Sequence, residues 1–305
     1  MDHRASLAGR REVACTVCHG TSGDTVFREN GYEGRACACG TIYTTPEPLP
    51  GEVDPTLVGH DDNFYDMPAL LKARWVRKHV HGDDLLEIGC GTGAFLDAAC
   101  TAGFRVEGIE AEETRATVAA RRVNAIVRPV FFENADADRR FDVVYHCDML
   151  AHFDEPGKAL RLMTRFLRPG GVLAFEVGFV GGLPRLWYSW IGDIGYPQHR
   201  WLYSERSLRR LLDNAGLQIE HMKSFDLSAD VVVQHGIRTA ARMARRLGLR
   251  RPTALRPAVL RDRPDDGRAM LRVHNVLRYR VGAWLPPLGP ATALVIARPA
   301  EGSSR

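Results

Sequence analysis

Leu85-Leu86-Glu87-Ile88-Gly89-Cys90-Gly91-Thr92-Gly93 decides how this chain folds. An apolar run entering three alternate glycines reads as a buried strand that turns sharply and lets the backbone approach a ligand before a helix starts. Outward from it, strand and helix patterns alternate. Strands are expected over 84–88, 104–109, 141–146 and 171–177, with helices over 94–102, 112–121 and 155–167. A further helix starts at Ser204, carries Leu208, Leu211 and Leu212, and stops near Gly216, ahead of a strand over 217–220. Helices of about ten residues between strands mean βαβ crossovers and a mostly parallel sheet covered on both faces. The fold class is α/β, doubly wound.

The composition agrees with a globular chain: 305 residues, 45% apolar and 26% charged. No apolar run approaches the roughly 18 residues of a membrane span, and residues 1–11 are polar. Neither membrane insertion nor a secretory signal is expected, and a cytoplasmic location follows as an expectation. Charge is unevenly spread. Residues 238–280 hold 13 Arg against three Asp, a local +10 inside a net charge of +4.

The glycine loop alone is a weak signal, because Gly89, Gly91 and Ala94 also satisfy a relaxed dinucleotide pattern. Three neighbours argue against a nicotinamide cofactor. Glu87 sits at the strand's carboxyl end, where it repels a pyrophosphate but accepts from an ammonium. Glu110 ends the next strand, where a carboxylate can accept from both ribose hydroxyls. Arg168-Pro169-Gly170-Gly171 is a tight turn between helix and strand. The combination resembles the class I S-adenosylmethionine-dependent methyltransferases over about residues 65–225. That resemblance implies a seven-stranded sheet closed by an antiparallel last strand, here 292–298. It places Gly89, Gly91 and Gly93 along the methionine and ribose, Glu87 at the ammonium and Glu110 at the ribose. Asp136 is then expected near the adenine, and Cys147 and Asp148 on the sulfonium side.

Methyl transfer is an in-line displacement, so the enzyme mainly positions the nucleophile, and a base is needed only where that nucleophile must lose a proton. His152 lies just beyond the fourth strand, and His199 lies in an inserted segment, 179–203, before the next helix. Both are candidates for the base; His152 can equally cap its loop. The insertion holds Trp187, Tyr188, Trp190, Tyr196, Trp201 and Tyr203 within 17 residues, the makings of a lid over an apolar small-molecule pocket. Tyr196, Trp187 and Glu176 are the expected acceptor contacts, although Glu176 can instead pair with Arg185 or Arg200.

Cys15, Cys18, Cys37 and Cys39 crowd the first 40 residues as two knuckles, 18 residues apart. Four thiolates complete a tetrahedral structural zinc site, and a segment under 50 residues needs such a staple. The context resembles the zinc-binding module that precedes many bacterial methyltransferases. The second knuckle departs from that pattern, with Ala36 where C-x-x-C would begin. Either Cys37 reaches the metal by a shifted backbone, or His19 substitutes, or the site is degraded or redox-active.

Three stretches follow: 1–50, a zinc-ribbon-like module ending in a Pro-rich linker; 51–225, the cofactor-binding core with an amphipathic lead-in helix over 68–79; and 226–305, a basic appendage with the final strand. On the lead-in helix Leu70, Leu71, Trp75 and Val76 fall on one side and Lys72, Arg74, Arg77 and Lys78 on the other. A basic helix is expected over 230–248, with Arg242, Arg245, Arg246, Arg250 and Arg251 on one face, either solvated or facing an anionic partner. Nucleic acid is not expected, since few aromatics interleave with the Arg residues. The reading is a small-molecule O- or N-methyltransferase of the bacterial tailoring type. C-methylation of a nucleotide sugar, methylation of RNA, and a non-catalytic binding protein are the alternatives; in 305 residues the large extra C-terminal domain of deoxysugar C-methyltransferases is not expected. The oligomeric state is left open.

Overall fold

A computed structural model describes residues 11–49, 51–53, 62–191, 194–247, 272–286 and 289–300. The main sheet is built from β4 (Asp84–Ile88), β5 (Arg105–Ile109), β6 (Val127–Arg128), β7 (Phe141–Cys147), β8 (Leu167–Phe179), β10 (Leu217–Asp226) and β11 (Ala291–Pro299). Their order is β10-β11-β8-β7-β4-β5-β6. The pairs from β8 to β6 are parallel, and β11 runs antiparallel to both β8 and β10. The doubly wound sheet expected from the alternation is present, with the seven strands that the resemblance implies.

Residue parity decides which face each side chain covers. Leu85, Val143, Tyr145, Val172 and Ala174 point to the face packed by α1 (Asp62–His79), α2 (Ala94–Thr101) and α3 (Glu113–Val123). Leu86, Ile88, Val144, Leu173 and Phe175 point to the other, under α4 (Pro156–Thr164) and α6 (Glu205–Asn214). The lead-in helix differs from expectation on one point. Its fully buried stripe is Ala69, Lys72, Ala73 and Val76, spaced i, i+3, i+4, i+7, so Lys72 belongs to the inner face and not the polar one.

The first strands, β1 (Asp24–Glu29), β2 (Tyr32–Ala36) and β3 (Ile42–Thr45), form an antiparallel sheet of their own. Its fourth strand comes from far along the chain. β9 (Trp201–Leu202), at the end of the inserted segment, pairs with β3 through Ile42↔Leu202 and Tyr43↔Trp201. Between β8 and β9 lies a short helix, α5 (Arg185–Trp190), and after β10 comes α7 (Ser228–Arg246). Arg250 and Arg251, expected on the basic helix, lie outside the described residues, as does Gly248. Arg242 and Arg246 are exposed on α7, while Arg238 turns inward and donates to the Trp190 carbonyl at 2.5 Å. Among the described residues no helix is long and apolar enough to cross a membrane.

At the amino-terminal edge, Asp84 ties neighbouring elements together. Its carboxylate accepts from Arg105 at 2.8 Å and Arg168 at 2.6 Å, and Arg168 also reaches Asp142 at 2.9 Å. The bond from Arg105 holds the Asp84 carboxyl below its ordinary value of 3.8 against the opposing effect of burial, with Arg168 adding to it. A depressed carboxylate stabilises the fold above its unfolded pKa and ceases to do so as pH falls through its folded value. Asp84→Asn is expected to cost about 1–3 kcal/mol near neutral pH, a melting-point fall of a few degrees. The gap between variant and wild type should narrow in melts taken below about pH 4.

Candidate functional site

The carboxyl edge of β4, β5 and β7 gathers the expected cofactor residues. The three loop glycines all take positive φ: 69° at Gly89, 55° at Gly91 and 84° at Gly93. A Cβ on Gly89 would sit 2.6 Å from the Met149 Sδ, and one on Gly93 would sit 3.1 Å from Ala119. Around Gly91 nothing lies within 4 Å of that position, so the backbone there faces open space.

Glu110 is buried and fully engaged. Its Oε2 accepts from the Gly91 N–H at 2.9 Å, and its Oε1 from the Glu112 N–H at 3.1 Å and the Arg115 Nη2 at 2.7 Å. These bonds lock the carboxylate beside the glycine loop while leaving lone pairs for a ribose diol. Glu87 is its counterpart without a match. It is 3% exposed, and Oε2 has no hydrogen-bond partner. Burial pushes the Glu87 carboxyl well above the ordinary range; Lys72 opposes this and Glu110 reinforces it. Thr92 Oγ1 and Tyr145 OH are likewise buried without partners. Three orphaned polar atoms around one open loop fit a polar, cationic ligand; a buried polar group otherwise costs about 1–3 kcal/mol.

Asp136 is placed differently. Its side chain is exposed beyond the short turn Phe132–Asn134, and its backbone carbonyl accepts from Arg128 at 3.0 Å.

Beyond β7 the chain supplies Cys147, Asp148 and His152. Cys147 Sγ is 3.4 Å from Glu176 Oε2 and 3.8 Å from Lys72 Nζ. Glu176 pairs with Lys72, and not with Arg185 or Arg200, which pair with Asp24 and Asp154. The reason is geometric: even-numbered residues of β8 face α1. Tyr279 OH and Thr292 Oγ1 donate to the Glu176 Oε1 at 2.8 and 3.1 Å. Lys72, Tyr279 and Thr292 escaped the reading of the sequence. The spacing of Lys72 from Ala69 and Val76 was the available signal for the first; the two others come from distant segments and left none.

Asp148 is held at φ 50°, and burial raises its carboxyl to about 6 against the opposing effect of His152. The His152 and His199 rings lie 4.6 Å apart between centroids. The 3.0 Å contact between His152 Nδ1 and the Gln198 carbonyl fixes the tautomer. A carbonyl only accepts, so Nδ1 carries the hydrogen and Nε2 keeps its lone pair. Burial depresses both imidazoles below 6.5, and the neighbouring His199 adds to the effect on His152. Both rings are therefore neutral at pH 7.

The remaining acceptor candidates lie elsewhere in the lid. Tyr196 is 2% exposed and packs edge-on against Phe27, inside the cluster shared by the lid and the first sheet. Trp187 packs edge-on against Trp190 and lies against Gly289. Neither joins the groups around Cys147 and Glu176.

The four cysteines do come together. Their sulfurs all lie within 4.8 Å of one another, with Cys15–Cys39 at 3.6 Å and Cys18–Cys37 at 3.3 Å. A tetrahedron of thiolates about 2.3 Å from a metal has edges of roughly 3.8 Å, so the set fits one zinc ion. The C-x-C knuckle turns back at Gly40 (φ 96°), where the Gly40 N–H donates to the Cys37 carbonyl at 2.9 Å. Both sulfurs thereby reach the cluster, while His19 is exposed outside it.

A family model described as a methyltransferase domain matches residues 60–222. Among curated relatives, a ubiquinone biosynthesis O-methyltransferase of Caulobacter vibrioides is 36% identical over 104 residues, 32% of this chain and 41% of that protein. The one from Coxiella burnetii is 25% identical over 191 residues, 55% and 81%. The first relatives, such as that of Stutzerimonas stutzeri, are covered over 50% of their length, so the chain spans about half of the relatives it matches. Among solved structures, the [4+2]-cyclase SpnF is 22% identical, with 78% of this chain and 82% of that one covered at a TM-score of 0.48.

Gly91→Ala separates fold from pocket. The positive φ costs the alanine about 1–2 kcal/mol, and its methyl enters the open space. The variant is expected to stay folded by circular dichroism while its affinity for S-adenosylmethionine, read by calorimetry, falls at least about tenfold.

Proposed function

This chain belongs to the methyltransferase-domain family, and we propose from that premise that it transfers a methyl group from S-adenosylmethionine to a hydroxyl oxygen of a small molecule. The observation that carries the reading is the carboxyl edge of the sheet. There an orphaned Glu87, a locked Glu110 and open space at Gly91 adjoin a neutral histidine pair. The name shared by the curated relatives, O-methyltransferase, supports oxygen as the methylated atom.

When bound, S-adenosylmethionine supplies an electrophilic methyl on a sulfonium. Glu87 answers the ligand's ammonium, Glu110 the ribose hydroxyls, and Gly89, Gly91 and Gly93 leave room for the methionine and ribose. Asp136 stands as the adenine contact only through a movement of its exposed loop. The acceptor's single hydroxyl proton goes to one base of this histidine pair, either His199 or His152 through its Nε2. Cys147, Tyr196, Trp187 and Glu176 shape the acceptor's surroundings, the two aromatics by holding the lid. Cys15, Cys18, Cys37 and Cys39 hold one structural zinc ion.

Calorimetric titration with S-adenosylmethionine and with NAD tests the premise; binding of NAD alone overturns it. Because Glu87 is raised when alone and an ammonium favours its anion, binding is expected to release a proton. The measured enthalpy should then vary with the buffer's ionisation enthalpy, and this dependence should vanish in Glu87→Gln.

A panel of phenolic and sugar hydroxyls, assayed for S-adenosylhomocysteine, tests the acceptor. The base must be neutral, so kcat/KM is expected to fall only below pH 6.5, as the depressed imidazoles protonate. His199→Ala and His152→Ala should each lower kcat by about 10²–10⁴; wild-type rates in both remove the assignment. Elemental analysis should find one zinc per chain, and less in Cys37→Ser.

A further inference from the structure

Residues 194–200, which carry His199, have no regular structure of their own, yet they are gripped from two sides. On one side is the tip of the first hairpin. Asn30 and Gly31 turn it with φ of 50° and 87°, as a two-residue turn requires. That turn puts two polar side chains at the tip. The Glu29 carboxylate accepts from the backbone N–H of Ile194 at 2.9 Å and of Gly195 at 3.1 Å. Asn30 Nδ2 donates to the Tyr196 carbonyl at 2.7 Å. Further along the same sheet, the Thr44 N–H donates to the Arg200 carbonyl at 2.9 Å, and Thr44 Oγ1 donates to the carbonyl of His199 itself at 3.0 Å. On the other side stands the turn after β7. The Arg200 N–H donates to the Ala151 carbonyl at 2.7 Å, and His152 Nδ1 to the Gln198 carbonyl at 3.0 Å.

We propose that Glu29 and Thr44 are positioning residues for His199, so that the cysteine-bearing N-terminal sheet supplies one wall of the acceptor site. The proposal rests on reading His199 as a base that faces the acceptor. A general base works only within hydrogen-bond reach of its proton, about 3 Å, and a loop left to itself does not keep a ring in place to that precision. β9 adds only two paired residues. The Glu29 bonds are charge-assisted, about twice as strong as neutral ones, and they act on the two residues where the segment begins. The Thr44 hydroxyl acts on the peptide of the histidine itself. The charged and titratable groups around His199 are the His152 ring, Asp148 behind it, Glu29 across the loop backbone, and Arg200, which is turned away to Asp154.

The test uses the full chain, and its first two readouts need no acceptor. Amide hydrogen exchange reads the grip at Ile194 and Gly195, and a histidine NMR titration reads the ring. In Glu29→Ala those two amides should exchange at least about fivefold faster. The His199 titration should rise toward the ordinary 6.5 as its burial loosens. Glu29→Gln, whose amide oxygen still accepts, should restore most of both. His146, buried within β7 with its pKa depressed to about 3, is the internal control and should not move. Unchanged exchange and an unchanged His199 titration in folded Glu29→Ala overturn the proposal. If that variant does not fold, Thr44→Val decides: it removes one hydroxyl and keeps the branched shape, and an unmoved His199 titration there overturns the proposal equally. Should His199→Ala transfer methyl groups at the wild-type rate while Glu29→Ala shifts exchange and titration, the base reading fails and the clamp stands.

Discussion

Buried carboxylates impose the strongest constraint on this molecule. An ionised carboxyl taken out of water costs several kcal/mol unless charge or hydrogen bonds meet it, and Glu87, Glu110 and Glu176 are all within 6% of full burial. Each is answered by a different means. Glu110 is met by backbone N–H groups and Arg115, which draws the glycine loop against the start of α3. Glu176 is met by Lys72, Tyr279 and Thr292, which ties the lead-in helix and the C-terminal segment to β8. Glu87 alone keeps an oxygen without a partner. The fold matches two of these carboxylates internally and leaves the third unmatched, and the proposed cofactor edge rests on this asymmetry.

Much of this was legible in the residues. The alternation of strand and helix was enough for the parallel sheet, because βαβ periodicity is local. The glycine loop with Glu87 and Glu110 was legible for the same reason: motif, strand and helix start lie within 30 residues. What was hidden depended on contacts distant in sequence. Lys72 was assigned to the polar side of its helix since a lysine is normally solvated; only the Glu176 carboxylate, about a hundred residues later, makes its burial tolerable. Tyr279 reaches Glu176 from a segment whose arginine content drew attention to its charge. For Glu176 the sequence offers Arg185 and Arg200, nearer in the chain, as partners, and the lysine that does pair with it stands on the lead-in helix.

The first sheet was also read too separately. Two cysteine knuckles and a Pro-rich stretch look like an appended module joined by a linker, and the four sulfurs do cluster as that pattern requires. Yet Cys15, Cys37 and Cys39 share one apolar cluster with Trp201, Tyr203, Phe179 and the helices of the catalytic sheet's outer face. β9 completes the small sheet from within the insertion. A two-residue strand carries almost no pattern, and its partner lies about 160 residues upstream, so no periodicity announces the pairing.

That pairing changes what a structural metal would mean here. In an appended ribbon, a zinc ion stabilises its own few strands and little else. In this chain β3 is at once the strand that follows the second knuckle and the strand that bonds the lid. Order imposed by a metal on the four thiolates would reach Trp201 and Leu202 through Ile42–Thr45, and Ile194 and Gly195 through the hairpin tip. From sulfur cluster to histidine pair the connection runs through this one small sheet, Thr44 of β3 donating to the His199 carbonyl. The aromatic residues of the insertion pack against the first sheet: Tyr196 and Tyr188 both meet Phe27 edge-on. The insertion is thus bonded to an element outside the parallel sheet, so an acceptor site built on it, as proposed above, would take its order from a part of the chain separate from the glycine loop.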